Sequence, residues 1–139
     1  MNWAVFLAAL IAVESGGNKA AVGDRNLRNR AYGVCQIRWP YLDDVNRIAG
    51  TDWTMRQVAA SESLSRWCVV VYVRHYGRRY TRMTGRPLTA EVAARLHNGG
   101  PDGWRRRATD PHWGRVRREM ERRGWESGSG PRYVGERKE

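Results

Sequence analysis

The stretch Trp3-Ala4-Val5-Phe6-Leu7-Ala8-Ala9-Leu10-Ile11-Ala12-Val13-Glu14-Ser15-Gly16-Gly17-Asn18 decides how the chain is read. Apolar residues run unbroken from Trp3 to Val13, and the pattern turns polar at Glu14. A secretion signal has a similar apolar centre, but no basic segment precedes this one, and Glu-Ser-Gly-Gly-Asn stands where a small-x-small cleavage site would follow. The run is also too short to span a bilayer. A helix that is apolar nearly all round belongs in a core. Residues 3 to 14 are therefore expected to form a buried helix, capped by Asn2 and ended by Gly16 and Gly17.

Working outward, residues 18 to 31 are polar and hold Gly23 with several Asn and Arg, which predicts a long loop or small hairpin. Tyr32 to Ile37 makes a compact segment around Gly33. A second helix is expected over 40 to 49, with Pro40 in its first turn and Gly50 at its end. Thr54 is expected to cap a long third helix to about Tyr76, closed by Gly77, with Val58, Leu64, Trp67, Cys68, Val71 and Tyr72 near helical spacing. Thr89 caps a fourth helix to Leu96 or His97, closed by Gly99 and Gly100; Asp110-Pro111 opens a fifth that ends at Gly124. The expectation is one mostly α domain over residues 1 to 125, followed by a flexible tail over 126 to 139 rich in Gly, Ser, Lys and Glu.

The composition is compatible with this. A chain of 139 residues with 41% hydrophobic content suits one domain with a real core. Cys35 and Cys68 lie in apolar stretches and lack the spacing of a zinc site, so no metal and no cofactor is expected. Two buried thiols are the simpler reading, with a single bridge as the alternative. The formal net charge of +11 favours anionic partners such as nucleic acid, membrane surfaces or an acidic polymer, without choosing among them. Exposed runs such as Arg105-Arg106-Arg107 and Arg117-Arg118 serve such attraction or simply solubility.

Glu14 is the candidate for chemistry. It is the only charged residue among the first 18 and it ends an apolar helix. Poor solvation on one side and the negative end of the helix dipole both disfavour the carboxylate, so a raised pKa is expected. A carboxyl that keeps its proton is what general acid cleavage of a glycosidic bond requires. Asp24 is the next acidic residue, placed either to act as base for a water or as an ordinary turn residue. Gln36 is a polar amide in an apolar segment and must find partners, in substrate or in backbone. His97 and Asn98, before Gly99 and Gly100, read equally as site residues or as a helix terminator.

In order along the chain, Val13-Glu14-Ser15-Gly16-Gly17-Asn18, Gly23-Asp24, Tyr32-Gly33-Val34-Cys35-Gln36-Ile37 and Leu96-His97-Asn98-Gly99-Gly100 together resemble the lysozyme-like superfamily. The likeness lies near the soluble lytic transglycosylases and the goose-type and invertebrate-type lysozymes, and covers roughly residues 5 to 120. It implies a lysozyme-like fold, a buried catalytic helix surrounded by other helices. It also implies cleavage of peptidoglycan between N-acetylmuramic acid and N-acetylglucosamine. Residue by residue, Glu14 resembles the general acid, Ser15 the serine that supports it, and Gln36 the cleft glutamine. Asn98 resembles the asparagine of the later motif, with His97 where transglycosylases carry Tyr. Asp24 resembles the Gly-Asp aspartate of goose-type enzymes, and Tyr32 accompanies the substrate-binding set.

Two departures stand out. Arg38 occupies the position of a second goose-type aspartate, and the chain lacks the many disulfides of invertebrate-type lysozymes. The resemblance leaves open whether water or the muramoyl 6-hydroxyl captures the sugar cation, the latter giving a 1,6-anhydro end. A monomer acting on the cell wall is expected; the missing secretion signal points to release from the cytoplasm by other means, in a phage, virion-associated or secretion-linked setting, with no specific nucleic acid and no membrane span. The rival readings are a basic nucleic-acid-binding protein and a glycan-binding or virion structural protein without catalysis.

Overall fold

Asn2 opens the first helix, α1 (Trp3–Ser15), its side chain accepting the Val5 N–H at 3.2 Å. Gly16 closes it in the left-handed region (φ 63°), its N–H returning to the carbonyls of Ile11 and Ala12. A side chain there would be strained, so the Glu14-Ser15-Gly16 order fixes where the helix stops and where Glu14 sits. The computed structural model describes residues 1–26 and 28–126. The tail expected over 126–139 lies outside the described residues except for Glu126.

After α1 the chain forms a two-stranded antiparallel hairpin, β1 (Val22–Gly23) and β2 (Ala31–Tyr32), in the register Val22 opposite Tyr32 and Gly23 opposite Ala31. The helices α2 (Trp39–Ala49), α3 (Met55–Ala60), α4 (Glu62–Thr84), α5 (Ala90–Gly99) and α6 (Asp110–Arg122) follow, with two short 3₁₀ turns between α5 and α6. The architecture is mostly α with a small hairpin after the first helix, as the sequence implies.

α1 packs against α6, and α4 packs against α2, α3 and α5. Phe6, Ala9 and Leu10 of α1 are fully buried, as are Val116 and Met120 of α6 and Cys68, Val69 and Val73 of α4. Burying each large aliphatic side chain stabilises the fold by about 1.5–3 kcal/mol. Both cysteines are buried and free, and burial pushes each thiol up to about 12.

The expected third helix is two helices. Ser61 leaves the helical region (φ −128°, ψ 115°) and its side chain accepts the Leu64 N–H at 3.1 Å, ending α3 and capping α4 at once. Competition of a serine hydroxyl with the helical backbone explains the break. Nor does Gly77 end the helix. It is buried within α4 where an added Cβ would come within 3.1 Å of Leu88, and α4 runs on to Thr84, capped by Gly85. Gly77 serves close packing instead of termination.

Candidate functional site

A cleft of about 580 Å³ opens beside the end of α1. Glu14 enters it from the helix end, Asp24 and Gln36 from the hairpin region, and His97 and Asn98 from the end of α5. The hairpin is anchored to α1 by Ser15, whose hydroxyl donates to the Val34 carbonyl at 2.8 Å and accepts the Gly17 N–H at 3.1 Å. Gln36, at φ 52°, donates through Nε2 to the carbonyls of Ala21 (3.1 Å) and Gly33 (2.9 Å). A Cβ at Gly23 would push the Gln36 carboxamide oxygen aside and disturb the two hydrogen bonds that hold that side chain. Ser15 and Gln36 thus hold the hairpin over the end of α1.

Glu14 is mostly buried, its side chain 17% exposed. Its Oε1 lies 2.7 Å from Nε2 of His112 and 3.5 Å from Nε2 of His97. His97 is fixed at both ring nitrogens. Nε2 lies 3.1 Å from the Cys35 carbonyl, which can only accept, so this nitrogen carries the hydrogen. Nδ1 then accepts from the Tyr41 hydroxyl at 3.0 Å. Tyr41 is itself held by stacking on Tyr72, with ring centroids 3.7 Å apart and planes 11° apart. Burial, with nearby phenol and thiol groups, drives the Tyr41 hydroxyl well above its ordinary range, so it stays a donor.

This environment corrects one expectation. Burial does push the Glu14 carboxyl up, but the hydrogen bonds from His112 and His97, with the electrostatic attraction of both rings, outweigh it. The carboxyl falls from 4.5 to about 2 instead of rising. The two imidazoles come from α5 and α6, far in sequence from the helix end that carries Glu14.

Other residues fall in less expected places. Asp24, at φ 54°, is exposed and ion-paired with Arg38, the residue that replaces a second aspartate. Asn98 is exposed on the cleft wall. Tyr32 faces a different depression, shared with Trp39, Met55 and Arg56, and so is not part of the cleft. Ser15 does not line the cleft either; its role is the tie to Val34.

The sequence gives no signal for Tyr41, and it marks Tyr72 only as a helix-spacing residue and Arg106 only as part of a basic run; His112 bonds Glu14, and the other three line the cleft. His112 had one legible signal. It heads the series His112, Val116, Met120 on the buried side of α6, an i, i+4, i+8 stripe in which a polar ring is out of place. Among the described residues no group of three or more His, Cys, Asp or Glu is arranged to hold a metal, and no helix is long and apolar enough to cross a membrane.

No protein-family model matches the chain. It is 31% identical over 112 residues to a lysozyme of Meretrix lusoria, spanning 81% of this chain and 85% of that one. It is 32% identical over 107 residues to an invertebrate-type lysozyme of Ruditapes philippinarum, spanning 77% and 74%. Among solved structures, the Meretrix lusoria lysozyme in complex with Aeromonas hydrophila PliI superposes with a TM-score of 0.68 at 28% identity, covering 82% of this chain and 87% of that one. The Tapes japonica lysozyme superposes at 0.66 with 28% identity, covering 81% and 85%.

The helical frame with a carboxyl-ended α1 beside a cleft therefore has the fold of the lysozyme-like superfamily. Within it, the chain belongs to the invertebrate-type lysozymes. It is a glycoside hydrolase of the muramidase type.

Proposed function

We propose that the chain cleaves peptidoglycan between N-acetylmuramic acid and N-acetylglucosamine, with Glu14 as the general acid. The observation that carries this reading is the position of Glu14: a mostly buried carboxyl at the edge of a cleft, with one oxygen held by imidazole and no partner on the other among the described residues. Glycan bound in the cleft expels water from around the carboxyl. That strengthens the burial effect, already the largest single influence on Glu14, and favours the protonated acid where it is needed.

Glu14 protonates the glycosidic oxygen as the bond breaks. Asp24 then holds the water that attacks the sugar cation, with Arg38 fixing the Asp24 carboxylate in place. Gln36, His97 and Asn98 bound the sugar-binding surface, and Tyr41 keeps His97 oriented. The presence of a second carboxylate, Asp24, on the cleft wall favours hydrolysis over capture by the muramoyl 6-hydroxyl, which would need Glu14 to return as base and no second carboxylate. The basic surface draws the enzyme to an anionic wall, and it acts there as a monomer.

The test is mass analysis of purified peptidoglycan digested by the wild-type protein and by Glu14→Gln. Hydrolysis yields muramic ends that retain the mass of water, and the variant leaves the polymer intact. Ends lighter by one water would establish the anhydro route; undiminished digestion by the variant would remove Glu14 from the chemistry.

A further inference from the structure

The ring of His112 reaches Glu14 from α6, ninety-eight positions away in sequence. It is 3% exposed, and its two nitrogens are in opposite situations. Nε2 lies 2.7 Å from Oε1 of Glu14, while Nδ1 is buried with no hydrogen-bond partner. A hydrogen on Nδ1 would be a buried donor without an acceptor, so the ring is held as the Nε2–H tautomer and donates to the carboxylate. His97 turns the same edge toward the same oxygen, with Nε2 at 3.5 Å from Oε1. Glu14 Oε2 has neither contact, and Glu14 lines the cleft.

We propose that His112 is a positioning residue for glycoside cleavage. It pins Oε1 of Glu14, leaves Oε2 as the oxygen that meets the sugar linkage, and stabilises the carboxylate formed when the proton leaves. This rests on Glu14 being the acid. The proton balance is simple: the Oε2–H proton passes to the glycosidic oxygen as the bond between that oxygen and the sugar carbon breaks. The carboxylate left behind accepts the His112 N–H, which itself transfers nothing. The bare Nδ1 gives the ring a fixed polarity, because its only usable hydrogen points at the acid.

Other charged and titratable groups near Glu14 do not duplicate this role. On α5, His97 shares its Nε2–H with the Cys35 carbonyl. On α2, Tyr41 acts only through His97 Nδ1. Cys35 lies beside the carboxyl as a thiol raised by burial to about 12. Across the cleft, Asp24 and Arg38 are paired with each other, and Arg106 is an exposed cation on the wall.

The test compares pH–rate profiles of wild type, Glu14→Gln, His112→Phe and His112→Gln on soluble peptidoglycan fragments. His112→Phe is expected to lower kcat about 10- to 100-fold with KM little changed. It should also move the limb governed by the acid up by about one to two pH units, because a donor to the carboxylate is gone. His112→Gln, which restores an N–H donor, should fall between. An unmoved limb in His112→Phe, or a change confined to KM and thermal stability, overturns the proposal. Full activity in Glu14→Gln defeats instead the reading on which it rests. One further measurement is independent of whether the variants fold. Nitrogen-15 NMR of the wild-type imidazoles should find His112 protonated at Nε2 with Nδ1 bare; the opposite tautomer contradicts the proposal.

Discussion

Glutamine at position 14 should change how stability depends on pH as well as activity. The Glu14 carboxyl moves from 4.5 to about 2 on folding, against the pull of burial, because of its two imidazole neighbours. The direction of the linkage follows from the lowered value. Above about 4.5 the carboxylate is present in both folded and unfolded chains, and the folded state gains the full stabilisation. As pH falls from there through about 2, the unfolded chain takes up the proton first and that stabilisation is lost. The size is about 3 kcal/mol, a large fraction of a typical domain's stability. Glu14→Gln has nearly the same shape and cannot titrate. Urea unfolding at intervals from pH 7 to pH 2 should therefore show the wild type losing about 3 kcal/mol more than the variant, nearly all of it below about pH 5. Parallel curves for the two proteins would refute the claim that the imidazoles hold Glu14 as a stabilised carboxylate.

Three more predictions concern the reaction and the core. Because bound glycan dries the cleft, the limb governed by Glu14 should lie at higher pH in the kcat profile than in the kcat/KM profile; coincident limbs would remove dehydration from the account. Asp24→Asn should cut the release of new reducing ends by about 100-fold or more if Asp24 holds the attacking water, and a loss of only about twofold would assign that role elsewhere. Leu10→Ala, at a fully buried position of α1, should cost about 2–5 kcal/mol in denaturant unfolding; a near-neutral result would contradict the packing of α1 described above.

The sequence carried most of the helical frame because helix ends are local events. Asn2 and Gly16, Pro40 and Gly50, Thr54, and Thr89 each act within a turn of their own backbone, and each stands at the expected boundary. The error in the third helix was also local. Ser61 is a modest helix residue that became a break only because it caps the next helix, and Gly77 read as a terminator while its actual constraint is Leu88, contributed by a later segment. The site was legible where a motif ran through contiguous residues, as with Glu14, Gln36 and the His97-Asn98 pair. It was opaque where chemistry depends on distant elements meeting. No reading of residues 1 to 18 reveals that α6 will bring an imidazole to Oε1, and that contact reverses the direction in which Glu14 is shifted. Tyr32 shows the opposite case: it opens the contiguous motif over residues 32–37, yet strand alternation turns it to another depression.

The most direct measurement is a crystal structure of Glu14→Gln with an oligomer of alternating N-acetylglucosamine and N-acetylmuramic acid. The sugars should lie along the cleft, with a glycosidic oxygen about 3 Å from the carboxamide at position 14 and His112 on its far side. An oligomer seated elsewhere, or one whose linkage lies out of hydrogen-bond reach of that group, would rule out Glu14 as the acid.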